Sequence, residues 1–190
     1  MPPRSLFDGV DLDAVRSLAA RLPPPGGVVV ACLAAGGALA QDPSDPAWTD
    51  RDRLFVSPGL RRSAETAGLQ AEADGADPHA CALESQRAGA IFRVYWVLDR
   101  DAAGSGEVWE RARAAAGSQA AMIISITLAS AAQASPAARM WEAAGWTAHG
   151  VDGNDPVAVL GAIDRGLEAP APWAIIAAVD ESADDDGAGW

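Results

Sequence analysis

The chain has 190 residues, 49% hydrophobic and 21% charged, which is ordinary globular usage and excludes wholesale disorder. Its 14 basic and 26 acidic residues give a formal charge of −12, and every basic residue is arginine. That balance lacks the basic face demanded by nucleic-acid phosphates or an anionic membrane, so neither partner is expected.

In chain order, Asp11 to Leu22 places Leu12, Val15, Leu18, Ala19 and Leu22 at helical spacing. Pro23 to Gly27 breaks that helix. Val28 to Ala40 is an uncharged apolar run, too short to span a bilayer, and reads as a second helix buried on most sides. Gln41 to Arg53 is polar and turn-rich; Leu54 to Val56 is a short strand, and Pro58 to Leu69 a helix with proline in its first turn. Glu72 to Glu84 has no periodicity and reads as a loop.

From Val94 onward the pattern is regular. Val94 to Leu98, Ala121 to Leu128, Trp146 to Val151 and Trp173 to Val179 are apolar runs of strand length. Between them lie three helices: one capped by Ser105 and reaching Ala116, one opened by Ser135-Pro136 and ended by Gly145, and one opened by Asp155-Pro156. Val157, Leu160, Ile163 and Leu167 form the apolar stripe of the last helix. Strands apolar on both faces, alternating with helices, imply an α/β fold: a three-layer parallel sheet covered by helices on both faces. Residues 1–179 are expected to form one domain, with a helix and Pro/Gly-rich linker over 1–27, followed by a flexible acidic tail over 180–190. Met1 to Asp8 lacks the apolar region of a secretory leader, so a cytoplasmic setting is expected.

Parallel sheets bind ligands beyond the carboxyl ends of their strands. The turn Asp99-Arg100-Asp101-Ala102-Ala103-Gly104-Ser105-Gly106 falls there. Two carboxylates, two glycines and a helix start can hold a metal-bound phosphate, although an ordinary acidic loop has the same composition. Ser105 is in no nucleophile elbow. Cys32 and Cys81 lie in apolar flanks and match no zinc spacing, and read as buried reduced thiols. His79 and His149 form no catalytic constellation. Of seven tryptophans, Trp96, Trp109, Trp141, Trp146 and Trp173 fall inside predicted elements and read as core, whereas Trp48 lies in a Pro-rich turn.

Several segments, in order, resemble the N-terminal, diphosphate-binding domain of transketolase. Asp45 to Gly59 resembles the family's N-P-x-W-x-x-R-D-R-F-V-L-S-x-G-H. Val94 to Glu110 resembles its strand, G-D-G loop and E-G-x-V-W-E helix. Met140 to Trp146, Val151 to Asp155 and Pro172 to Ala177 resemble its W-x-x-x-G-W, V-D-G-H-D and P-x-x-I-I-A. The resemblance implies a thiamine-diphosphate-binding-like fold. It also implies a cofactor, thiamine diphosphate bound through magnesium, the metal held by the Asp of G-D-G and by an Asn after the next strand, with histidines on the substrate side. Cofactor-binding positions would then be Asp99, Arg100, Asp101, Gly104 and Gly106.

The sequence departs from that pattern at the residues that carry the chemistry. Arg100 stands at the metal-binding Asp, Ala129-Ser130 near the Asn, and Leu60 at the His of S-x-G-H. Pro24-Pro25-Gly26-Gly27 replaces the family's S-G-H-P-G, and Leu83 to Gly89 falls at its G-x-L-G-Q-G. Cofactor and metal binding are therefore expected to be weak or lost, with no catalytic residue assigned. Three readings stay open. One is a non-catalytic or assembly subunit that forms homo-oligomers. Another is the first subunit of a split ketol-transferring enzyme, completed by a separate chain carrying the pyrimidine-binding domain. The third is a crevice that binds another anion through Arg100 and backbone N–H groups near Gly104 and Gly106.

Overall fold

A computed structural model describes residues 9–35, 52–89, 93–118 and 123–180. Its centre is a parallel sheet of five strands: β1 (Arg53–Val56), β2 (Val94–Leu98), β3 (Ile123–Ala129), β4 (Thr147–Asp152) and β5 (Trp173–Ala178). Their spatial order is β1-β2-β3-β5-β4, so the last strand inserts between the third and the fourth. Tyr95 pairs with Ile124, Ile124 with Trp173, and Trp173 with Thr147, which sets the register across the sheet.

The helices are α1 (Leu12–Ala19), α2 (Gly27–Ala35), α3 (Pro58–Thr66), α4 (Pro78–Ala88), α5 (Arg100–Ala103), α6 (Gly106–Gly117), α7 (Ala131–Ala143) and α8 (Pro156–Glu168). Strand alternation divides them into two layers. Tyr95, Val97, Ile124, Ile126 and Ile175 face α1, α2, α3 and α8. Trp96, Leu98, Ile123, Ala174 and Ile176 face α4, α6 and α7. β2 and β3 are buried along their whole length, as strands covered on both sides must be.

Trp141 organises the second layer. It is fully buried, and its ring centroid lies 5.9 Å from Trp96, 5.0 Å from Trp109 and 4.6 Å from Trp146, all edge-on. Those edge-on contacts suit the ring quadrupole and add to the area the rings bury. Each of three indoles also finds an acceptor: Trp141 Nε1 donates to Thr127 Oγ1, Trp109 Nε1 to the Ala103 carbonyl, and Trp146 Nε1 to the Ala112 carbonyl.

Four local expectations are corrected. The stretch Glu72 to Glu84 is not all loop: α4 starts at Pro78, because Asp77 caps it by accepting the His79 N–H at 2.9 Å. The helix expected to open at Ser135-Pro136 starts at Ala131, and Pro136 lies inside it. Its start is placed by the end of β3, where the Val179 N–H holds the Ala129 carbonyl and the chain must leave the sheet at Ser130. In α8, Val157 is exposed and Val159 takes its place in the buried stripe. Cys81 is half-buried, whereas Cys32 is buried as expected. Trp48, the part of the second helix after Ala35, and the acidic tail after Asp180 lie outside the described residues. Among the described residues, no helix is long and apolar enough to cross a membrane.

Candidate functional site

The chain leaves β1 toward α3, in one layer, and leaves β2 through α5 toward α6, in the other. Connections that part to opposite faces open a crevice between the carboxyl ends of their strands. The crevice here lies between the Ser57–Gly59 turn and the Asp99–Gly106 turn. A cavity of about 290 Å³ opens beside it, with Phe55, Trp96, Leu98 and Val108 among the residues of its wall.

The Asp99–Gly106 turn is built by capping. Asp99 precedes α5, and its Oδ1 accepts the Ala102 N–H at 2.9 Å. The Asp99 N–H donates to Ser57 Oγ, also at 2.9 Å, which ties the two turns together. Ser57 stands at the N-cap position of α3, yet its hydroxyl makes no cap there. Gly59 is needed for close approach, since a Cβ at that position would run into Asp99 Oδ2. Arg100 and Asp101 are the first two residues of α5 and are exposed. Gly104 ends α5 at an ordinary φ of −78°, and a Cβ on Gly106 would meet nothing within 4 Å. Neither glycine is required by backbone conformation. Trp109 Nε1 donates to the Ala103 carbonyl at 3.0 Å and anchors the turn to the tryptophan core.

The structure thus gathers Asp99, Arg100, Asp101, Gly104 and Gly106 in one turn at the sheet's carboxyl end. Leu83 to Gly89 does not form the glycine-rich loop that the resemblance assigns there. It lies in α4 through Ala88, and Gly89 closes that helix at a φ of +64°. The loop that lines the crevice is Glu72 to Ala76. The sequence reads Glu72 to Ala76 correctly as loop but does not place it at the crevice, and it assigns no role to Ser57 or Gly59. The available signal was Ser57-Pro58-Gly59 directly after a strand.

Three ion pairs ring the cavity. Arg53 Nε lies 3.5 Å from Glu72, Arg61 2.6 Å from Asp74, and Arg111 2.6 Å from Glu107. Among the described residues, no group of three or more His, Cys, Asp or Glu side chains is placed to hold a metal ion. A hard divalent cation takes about six oxygen ligands. At this turn the carboxylates are Asp99, half engaged as a cap, and the exposed Asp101, with an arginine between them. The residues present do not fit a metal-bound diphosphate.

A second hollow, about 480 Å³, lies between Pro24–Val28 and the carboxyl ends of β4 and β5. Asn154, which stands where V-D-G-H-D has its histidine, lines it and donates its backbone N–H to Asp152 Oδ1 at 2.9 Å. Neither histidine of the chain faces the crevice. His79 Nε2 pairs with Ser118 Oγ at 2.9 Å, just past the end of α6 and so toward the amino ends of the strands. His149 Nε2 accepts from Arg165 at 2.7 Å, and burial together with that guanidinium lowers its pKa. The Cys32 thiol is pushed up to about 12 by burial and by Asp155, which leaves it without nucleophilic character at neutral pH.

No protein-family model and no curated protein matches the sequence. Solved transketolase structures do match the fold. That of Campylobacter jejuni transketolase has a TM-score of 0.67 at 15% identity, over 94% of this chain and 38% of its own. Pichia stipitis transketolase in complex with sedoheptulose-7-phosphate gives 0.64 at 17% identity, over 92% and 35%. Leishmania mexicana transketolase gives 0.59 at 14% identity, over 88% and 36%. The chain therefore spans between a third and two fifths of each of these transketolases, and over that span it has the transketolase-like α/β fold.

Proposed function

We propose that this chain is a non-catalytic relative of the transketolase cofactor-binding domain, a cytoplasmic subunit that retains the fold as an assembly surface for itself or for another chain. The observation that carries the reading is Arg100. The resemblance puts the metal-binding carboxylate at that position, and a guanidinium repels a cation. Asp99, one residue away, is engaged by the Ala102 N–H and pressed against Gly59. A buried diphosphate without its counter-cation would meet Glu72, Asp74 and Glu107 around the cavity.

The test is calorimetric titration of the whole chain, together with any protein that purifies with it, using thiamine diphosphate and magnesium. No stoichiometric binding is expected. Saturable, magnesium-dependent binding at micromolar concentration refutes the reading.

The span of the structural matches favours a second reading. The transketolases extend well beyond the part matched here, and in this reading a separate polypeptide carrying the pyrimidine-binding domain completes a split enzyme. Gentle purification from the native host separates the two readings. A stoichiometric partner of that kind, with ketol transfer by the complex, supports the split enzyme. Recovery of the chain alone or with its own copies supports the assembly reading.

A further inference from the structure

Building on the reading that the crevice no longer holds a metal diphosphate, we propose that its 290 Å³ cavity is a binding site for a small uncharged aromatic or aliphatic molecule. The size, the floor and the rim each support this. The volume is near the lower end of ligand pockets and matches a single substituted ring. The floor is apolar and fixed: Phe55, Trp96, Leu98 and Val108 are each 9% exposed or less. Trp96 is braced edge-on by Trp141, and the adjoining turn is held by the Trp109 and Ser57 hydrogen bonds, so the cavity is formed in advance of any ligand. Ser57 and Ser105 place hydroxyls at its edge, and Ser105 makes no helix cap that would engage its own.

The rim selects against charge of either sign. Glu72, Asp74 and Glu107 each already face an arginine, Arg53, Arg61 and Arg111 respectively. An entering anion meets three carboxylates whose arginines are engaged, and an entering cation must draw a carboxylate away from its partner. Either also loses hydration against the apolar floor. An uncharged ligand disturbs none of these pairs.

A series on one ring tests this: benzyl alcohol, benzylamine and phenyl phosphate, each followed by amide NMR shifts at Ala76, Ala102 and Ser105 of the full chain. Benzyl alcohol is expected to give saturable millimolar shifts, with the two charged analogues weaker by about fivefold or more. Ala102→Leu and Ala76→Leu add bulk to the cavity from two separate segments, and either one, if folded by circular dichroism, is expected to abolish the shifts. Phenyl phosphate or benzylamine binding as tightly as the alcohol overturns the proposal. So does the absence of saturable shifts, or unchanged binding in a folded filled variant. A parallel arm with thiamine diphosphate and magnesium keeps the two failures apart. Binding there sinks the non-catalytic reading itself, whereas its absence together with no benzyl alcohol binding sinks only this inference.

Discussion

Replacing Trp141 with phenylalanine probes what holds the second layer together. The indole is 0% exposed and touches three other tryptophans. Phenylalanine keeps one ring and removes roughly 40 Å³, which at about 24 cal/mol per Å³ costs about 1 kcal/mol. The substitution also removes the Nε1–H that reaches Thr127 Oγ1 at 3.0 Å, and Thr127 is 1% exposed. A buried hydroxyl left without its donor costs about 1–3 kcal/mol more. Trp141→Phe is therefore expected to lose about 2–4 kcal/mol, seen as a urea midpoint lowered by about 1–2 M if the m-value is about 2 kcal/mol/M. Thr127→Val alone strands the indole N–H and loses about 1–3 kcal/mol. The double variant strands neither group and should lose only about 1 kcal/mol, the cavity share. A Trp141→Phe loss under about 1 kcal/mol, or a double variant no more stable than Trp141→Phe, refutes this account.

Asp52 is buried, its Oδ1 accepts the Arg93 N–H at 2.8 Å, and the Tyr95 hydroxyl lies beside it. Burial raises its pKa despite Arg93, so the contribution it makes below the ordinary carboxylate value is lost as pH rises through the raised one. Asp52→Asn keeps the acceptor for Arg93 and should match wild type near pH 4 and be the more stable of the two at pH 7, checked by melting across that range. Identical pH profiles would contradict it. Burial and Asp155 raise the Cys32 thiol from 9.0 to about 12, so at pH 8 the native thiol should resist iodoacetamide and become labelled only after unfolding; mass spectrometry of the Cys32 peptide decides. Gly145, just past α7, has a φ of +91°, and a Cβ there would sit 3.1 Å from Ala116 Cβ. Gly145→Ala should cost about 1–2 kcal/mol in chemical denaturation, and a neutral result would show that the turn relaxes freely.

The candidate turn was legible in the sequence because an apolar run, a polar break and a helix start are local signals. Asp99 to Gly106 had to lie at a strand's carboxyl end once Val94 to Leu98 read as a strand. The rest of the crevice was not legible. Ser57 comes from a strand more than forty residues earlier, and its hydroxyl is used by Asp99 rather than by its own helix. Glu72 to Ala76 has no pattern of its own, and its place is set by the arginines it pairs with. Helix starts divide in the same way. Asp155-Pro156 and Asp77-Pro78 carry one capping chemistry, but only the first precedes an evident apolar stripe, so the second was missed. Ser135-Pro136 carries a similar signal without being a start.

By itself the sequence determined the alternation of strands and helices, the parallel sheet covered on both faces and the placing of tryptophans in the core. The apolar pattern of each strand and helix depends on residues within one or two turns of one another, where spacing and propensity act directly. The tertiary structure decided the order β3-β5-β4, the start of α7, the partnership of Ser57 with Asp99 and the existence of the cavity. Those depend on which distant surfaces exclude water from each other most completely, and that is a property of the packed whole rather than of any segment.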